Sequence, residues 1–243
     1  MPHLTEPNLL STDQIEAAEL ATARYVFHAI REFASTAAED FAKSPDDQDD
    51  IAEDATREAL DKFPGVPTRT RLYGRIDFKR AQMLFLPCLG TRQALLVDSK
   101  AEKTARNATL QVAQTSLPLL HKRAGKTITA NGELQPVMRL RDGLDYLCTT
   151  VFVHYYYQES AGQRTLRAIT IASLPNGRLA SRYVPSADDT LWQAGRNAPT
   201  RGEGLRVRLG FDRLHAKCPW RVQRIEFSKP GAPGTGILAE WRE

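Results

Sequence analysis

Apolar positions recur at helical spacing from residue 13 to residue 41, where Ile15, Ala18, Thr22, Tyr25 or Val26, Ala29 or Ile30, Phe33 and Ala37 share one stripe. Asp13 and Glu16 have the spacing of a capping box, and the acidic loop "SPDDQDD" ends the pattern. A second helix is predicted over residues 50–63, with Asp50 and Glu53 again spaced as a capping box and "FPGVP" as its stop. From residue 70 the period changes. "RLYGRIDFKR" and "RQALLVDSKA" are bracketed by turn signals, and the second has the short unbroken apolar run of a buried strand. Residues 103–117 are predicted to be helical, up to Pro118. "LDYLCTTVFVHYYYQE" (144–159) and "RTLRAITIASLP" (164–175) are rich in β-branched and aromatic residues and form strands joined by a hairpin at "ESAGQ". After a loop at 181–203, "GLRVRLGF" alternates as a strand, "DRLHAKC" makes a short helix and "WRVQRIEF" a last strand.

These elements predict an α/β fold with a mixed central sheet flanked by helices, two of which precede it. There is no internal repeat and no linker long enough to divide the chain. With 243 residues and 42% hydrophobic content, one large domain is expected. The opening "MPHLTEPNLLSTDQIEAAEL" has no basic start and no uninterrupted apolar segment, so neither a signal peptide nor a membrane span is expected and the protein is placed in the cytoplasm. Cys88, Cys148 and Cys218 are scattered and contain no CxxC pair, which argues against a disulfide framework or structural zinc and for buried apolar roles.

Charge changes the picture more. Residues 1–68 hold 5 Lys and Arg against 15 Asp and Glu, a net of −10; the remaining residues carry 28 against 14, a net of +14. The basic part calls for a polyanion. It is densest over residues 178–224, where ten basic residues face four acids and nine of the ten are arginine, whose planar fork suits phosphate and guanine edges better than lysine does.

Candidate chemistry lies at the ends of two apolar runs. Asp98 and Lys100 follow "ALLV", and strand alternation points both to one side while Ser99 points to the other. With the strand of Asp77 beside them, two carboxylates and one ammonium would converge. Two close carboxylates repel unless a cation sits between them, and hard oxygen ligands suit Mg²⁺. A lysine there favours deprotonation of an attacking water and offsets charge on a phosphorane. The pattern, an acid followed by (Asp/Glu)-x-Lys, fits phosphodiester hydrolysis but also occurs by chance, with strand-end acids and solvated lysines as the plainer reading.

Longer stretches are more specific. "AED" (52–54), "IDFKR" (76–80), "LLVDSKA" (95–101), "TLQ" (109–111), "VFVHYYYQE" (151–159), "SLP" (173–175) and "RGEGLRVRLGFDRLHAKCPWR" (201–221) occur in order and spacing that resemble the SfiI-like type II restriction endonucleases, within the PD-(D/E)xK nuclease superfamily. The resemblance implies a restriction-endonuclease-like core over the single domain 1–243, with 1–68 an acidic helical part and 69–243 the catalytic and DNA-reading part. It places Asp77, Asp98 and Lys100 on the catalytic positions, with Mg²⁺ on Asp77 and Asp98. Ile76 stands where the superfamily has proline. Glu53, in "AED", becomes an outer-shell metal ligand, although a capping-box role explains it equally well. Arg206 and Arg208 alternate around Val207 and fall where the family reads guanine in the major groove, as does Arg196, which replaces a family lysine. Arg106, Arg201 and Lys103 become phosphate contacts, although "RNATLQ" departs from the family near Arg106. His154, with no serine, cysteine or second histidine motif beside it, is expected to be a satisfied core or interface residue.

The activity implied is Mg²⁺-dependent hydrolysis of both strands of double-stranded DNA at a GC-rich interrupted palindrome with GGCC-type half-sites. A palindrome demands two-fold symmetry. The resemblance extends this to homodimers assembled into homotetramers on two DNA sites, and to a cognate DNA methyltransferase in the host with no direct contact implied. Two other classes compete: a structure-directed repair or recombination nuclease of the same fold, disfavoured by the arginine strand, and a non-catalytic DNA-binding regulator, disfavoured by the retained acids and lysine.

Overall fold

The computed structural model describes residues 4–63, 68–71, 82–86, 90–195, 205–227 and 237–243. Near the N-terminus, α1 (Thr12–Glu32) and α2 (Ala34–Lys43) form the predicted amphipathic stretch, which breaks where Phe33 leaves helical geometry at ψ 6. α3 (Gln48–Lys62) follows. Both helix starts differ from expectation. The α1 capping box is Ser11 with Gln14, two residues earlier than Asp13 with Glu16, and α3 is capped by Asp47, whose carboxylate accepts from Asp49 N at 2.9 Å. "STDQIE" and "DDQDD" each offer several cap candidates, and the earliest one that satisfies orphan amides sets the boundary.

The strands are β1 (Thr68–Arg71), β2 (Gln82–Leu86), β3 (Thr91–Glu102), β4 (Asn107–Gln111), β5 (Leu119–Arg123), β6 (Lys126–Ala130), β7 (Val137–Arg139), β8 (Asp145–Ser160) and β9 (Gln163–Leu174). After the short α4 (Ala180–Tyr183) come β10 (Trp192–Ala194), β11 (Arg206–Gly210), α5 (Phe211–Lys217), β12 (Val222–Phe227) and β13 (Ile237–Leu238). The main sheet runs β1-β2-β3-β8-β9-β12-β13, with β7 also on β8. Among the described strands only β3 and β8 pair in parallel, Asp98 opposite Phe152 and Lys100 opposite His154. The β8–β9 hairpin forms as predicted: Ala161 (φ 50) and Gly162 (φ 78) are both left-handed, which matches the strand twist.

The helix predicted over 103–117 is absent. In its place β4 pairs with β11, Thr109 opposite Arg208, and β11 pairs with β10. Ala108 and Leu110 are buried while their neighbours are half-buried, so "NATLQ" alternates as a strand once its distant partner is present. Tertiary pairing overrides the local helical composition.

Two apolar layers enclose the sheet. On one face α1, α2 and α3 pack over Val97, Val151, Val153 and Ile171. On the other, Phe152 and Ala172 meet the β10-β11-β4 sheet through Leu110, Trp192, Val207 and Leu209. Cys148 is buried as expected, with its thiol pushed up to about 12 by desolvation, whereas Cys218 is only half-buried against the second layer; Cys88 lies outside the described residues. No described helix is long and apolar enough to cross a membrane.

Candidate active site

β3 carries the site because its alternation separates two environments. Ser99 turns toward the helices, where its hydroxyl donates to Thr56 Oγ1 at 2.8 Å. Asp98, Lys100 and Glu102 turn the other way. Asp98 is 9% exposed at the exit of a strand whose Leu95 and Leu96 are fully buried. Lys100 Nζ lies 3.4 Å from Asp98 Oδ2, and Gln114 Nε2 donates to that same oxygen at 2.9 Å. Gln114 is itself oriented, since its Oε1 accepts from Gln111 N at 2.8 Å. The structure thus brings Asp98 and Lys100 together. Asp77, Arg196 and Arg201 lie outside the described residues. Glu53 stands on α3, one turn before Thr56 and on the helical side of the sheet, and Asp47 takes the capping role that its spacing offered. Among the described residues no group of three or more His, Cys, Asp or Glu is arranged to hold a metal ion.

The arginine strand is as predicted. Val207 and Leu209 are fully buried while Arg206 and Arg208 are half-buried on the opposite side of β11. Both line a cleft of about 360 Å³ with Glu102, Thr104, Thr109 and Gly195. The cleft therefore joins the end of the catalytic strand to the arginine strand. Gly195 is required for close approach: a Cβ there would sit 2.6 Å from the Arg206 carbonyl oxygen.

The other described basic residues of 178–224 have different work. Arg178 donates to the Pro7 and Leu10 carbonyls, Arg182 pairs with Asp13 and Glu16, and Arg213 donates to the Trp192 carbonyl. Lys217 pairs with Asp189 and Arg224 with Glu226. Arg221 is wholly buried against Glu19 at 2.6 Å. Lys103 pairs with Glu159 at 2.7 Å, and Arg106 is exposed while its carbonyl accepts from Phe211 N.

His154 lies in the core as expected, but it is not satisfied. Neither ring nitrogen has a hydrogen bond, and the nearest acid, Glu102 Oε2, is 3.7 Å from Nε2. Burial works to raise the Glu102 pKa, yet His154 and the hydrogen bonds from Thr109 outweigh it and hold the carboxyl at about 2. Glu102 and Gln114 are the two site neighbours that sequence reading missed. Glu102 was visible as the next same-face residue after Asp98 and Lys100, whereas Gln114 sits on a turn taken for helix and gave no signal.

The family profile described as "Type II restriction enzyme SfiI" matches residues 13–225. A Streptomyces fimbriatus protein of that same description is 35% identical over 248 residues, covering 96% of this chain and 91% of the relative. The chain belongs to the SfiI family of type II restriction enzymes. This SfiI-family enzyme is a site-specific deoxyribonuclease, as its relatives are. Its fold superposes on the crystal structure of tetrameric restriction endonuclease SfiI bound to cognate DNA with a TM-score of 0.85, at 33% identity over 98% of this chain and 93% of that one. The restriction endonuclease BglI bound to its DNA recognition sequence gives 0.73 at 18% identity, over 89% of this chain and 92% of that one, a likeness of fold alone. The predicted α/β restriction-endonuclease-like core is borne out.

Proposed function

We propose that this SfiI-family enzyme hydrolyses both strands of double-stranded DNA, with Mg²⁺, at a GC-rich interrupted palindrome with GGCC-type half-sites. The observation that carries the reading is a cleft in which Glu102, at the end of the strand that holds Asp98 3.4 Å from Lys100, meets Arg206 and Arg208 of β11. The donor types fit a hard divalent cation, because Asp98 and Asp77 supply carboxylate oxygens, whereas Glu53 lies on the helical side of the sheet, away from Asp98. When bound, the ion supplies Lewis-acid polarisation of the phosphate and acidification of water. Lys100, paired to Asp98, lowers the cost of deprotonating a water next to the scissile phosphate, and Gln114 keeps the Asp98 carboxylate oriented.

Arg206, Arg208 and Arg196 take guanine O6 and N7 edges, while Arg106 and Arg201 hold phosphates and set the register. Chain 1–243 acts as one endonuclease domain. A palindrome needs two copies, each reading a half-site and cutting one strand; that the solved relative is a tetramer on cognate DNA supports a homotetramer holding two DNA sites as the reading for this chain. A host methyltransferase would protect the same site without touching this enzyme, and both would work in the cytoplasm.

Digestion of a GC-rich plasmid library with the purified protein and Mg²⁺, with fragment ends sequenced and an EDTA control, tests the reading. Discrete ends flanked by a common interrupted palindrome are expected. Random nicking would instead mean a structure-directed nuclease, and binding without cutting a regulator.

A further inference from the structure

Glu102 ends the catalytic strand two residues after Lys100, on the same face, and lies in the cleft with Arg206 and Arg208. An ionised carboxylate is an unexpected group to place where DNA phosphates pass, because like charges repel. Its contacts show what it does instead. Oε1 accepts from Thr109 N at 3.3 Å, and Thr109 is the residue of β4 directly opposite Arg208. Oε2 accepts from Thr104 Oγ1 at 3.2 Å and lies 3.7 Å from His154 Nε2. His154 is the β8 partner of Lys100, and its ring meets Phe211 edge-to-face at 5.3 Å, immediately after β11.

Among the described residues the β10-β11-β4 sheet forms no strand pairing with the main sheet, and β3 reaches β4 through the short segment 103–106. Near the cleft, the Glu102 carboxylate makes a polar side-chain contact from β3 to that sheet, with the buried His154 ring behind it. We propose that Glu102, backed by His154, is a positioning residue that transmits the seating of Arg208 on DNA to Lys100 and Asp98. A recognition strand displaced on wrong DNA pulls Thr109 off the carboxylate, and the end of β3 moves with it. A displacement of about 1 Å at a reacting centre is enough to lower a rate by about 100-fold. Cutting would thereby be more selective than binding.

The proposal rests on the assignment of Arg208 as a guanine reader, so three variants are compared: Glu102→Gln, Thr104→Val and Arg208→Ala. Each is measured on a duplex carrying the site defined by library digestion and on one with a single guanine pair replaced, for affinity and for single-turnover cutting at saturating enzyme. Glu102→Gln loses one carboxylate oxygen and the charge. It is expected to bind cognate DNA within about threefold of the parent while cutting it at least about tenfold more slowly, with the mismatched duplex cut nearly as before. The rate ratio between the two duplexes thus narrows about tenfold. Thr104→Val removes one exposed hydroxyl, leaves the fold intact and is expected to narrow the ratio less, in the same direction. Equal slowing on both duplexes, or no slowing, in Glu102→Gln and Thr104→Val overturns the positioning role. Equal weakening of all DNA by Arg208→Ala would overturn the guanine assignment itself and the proposal with it.

Discussion

Arg221 is fully buried and its guanidinium is closely partnered: Nη2 with Glu19 at 2.6 Å, Nε donating to Tyr183 Oη at 2.8 Å, and its central carbon 4.3 Å from the Trp220 ring centroid and 4.5 Å from that of Tyr183. Glu19, 1% exposed, also accepts from Asn176 N at 2.7 Å. Arg221→Ala leaves that carboxylate buried with its one backbone donor. Removing one partner of a buried pair costs about 3–5 kcal/mol. At about 2–4 °C per kcal/mol for a chain of this size, thermal unfolding should fall by about 6–20 °C. The pH dependence has a definite sign. Burial raises the Glu19 pKa above 4.5 even against the opposing effect of Arg221, and without the arginine it rises further. A raised folded-state pKa gives stability that is present below the unfolded value and lost as pH rises through the folded one. The deficit of Arg221→Ala should therefore be larger at pH 8 than at pH 5. Glu19→Gln with Arg221→Met, which removes both charges, should recover most of it. Circular-dichroism melts at both pH values provide the measurement. A loss below about 1 kcal/mol, or one equal at the two pH values, would refute a buried, charge-carrying clamp.

Asp98→Asn should lower plasmid cutting by about 100-fold or more while gel-shift affinity for DNA persists; intact cutting would remove Asp98 from the metal site. Arg206→Ala should cost about 1–3 kcal/mol of discrimination at one base position in a binding-site selection, and even weakening on all sequences would make it a phosphate contact. Ala161→Asn, placed where φ is 50 beside Gly162, should stabilise the protein by about 1 kcal/mol in thermal unfolding; a loss would contradict the left-handed turn. Glu102, held at about 2 against an ordinary 4.5, contributes stability that is present above 4.5 and lost as pH falls toward 2, so acid unfolding of Glu102→Gln should show a flatter pH dependence there than the parent.

Local chemistry was legible wherever one element decided it. "ALLVDSK" announced a buried strand with an acid and a lysine on one face, and β3 has both. "AG" between two β-rich runs gave a hairpin, and β8–β9 closes there. What escaped depended on partners far away in sequence. β4 is a strand because Val207 and Leu209 lie opposite Leu110 and Ala108, almost a hundred residues later, and no local propensity reports such a partner. Gln114 orients Asp98 only because the turn after β4 folds back onto β3, so the misread helix hid the residue as well as the strand. His154 shows the same limit: its core position was readable from the apolar run around it, but its missing hydrogen bonds were not.

Charge counting illustrates how composition overstates an interface. The ten basic residues of 178–224 pointed to a polyanion, yet Arg178, Arg182 and Arg221 tie the first nineteen residues to the body of the protein, and Arg213, Lys217 and Arg224 make contacts within their own region. Much of the N-terminal acidity is likewise structural, since Asp13, Glu16 and Glu19 are the partners of those arginines. The two opposite charge excesses therefore partly cancel across α1. What singles out Arg206 and Arg208 is the burial of Val207 and Leu209 between and beyond them. That burial fixes the arginines on the open side of β11, and the same alternation on β3 delivers Asp98 and Lys100 to the face of the main sheet away from the helices. Because both strands reach one cleft through a period of two, a one-residue insertion within either is expected to turn its functional side chains into the apolar layer, whereas insertions in the turn at Ala161–Gly162 should leave the site unchanged.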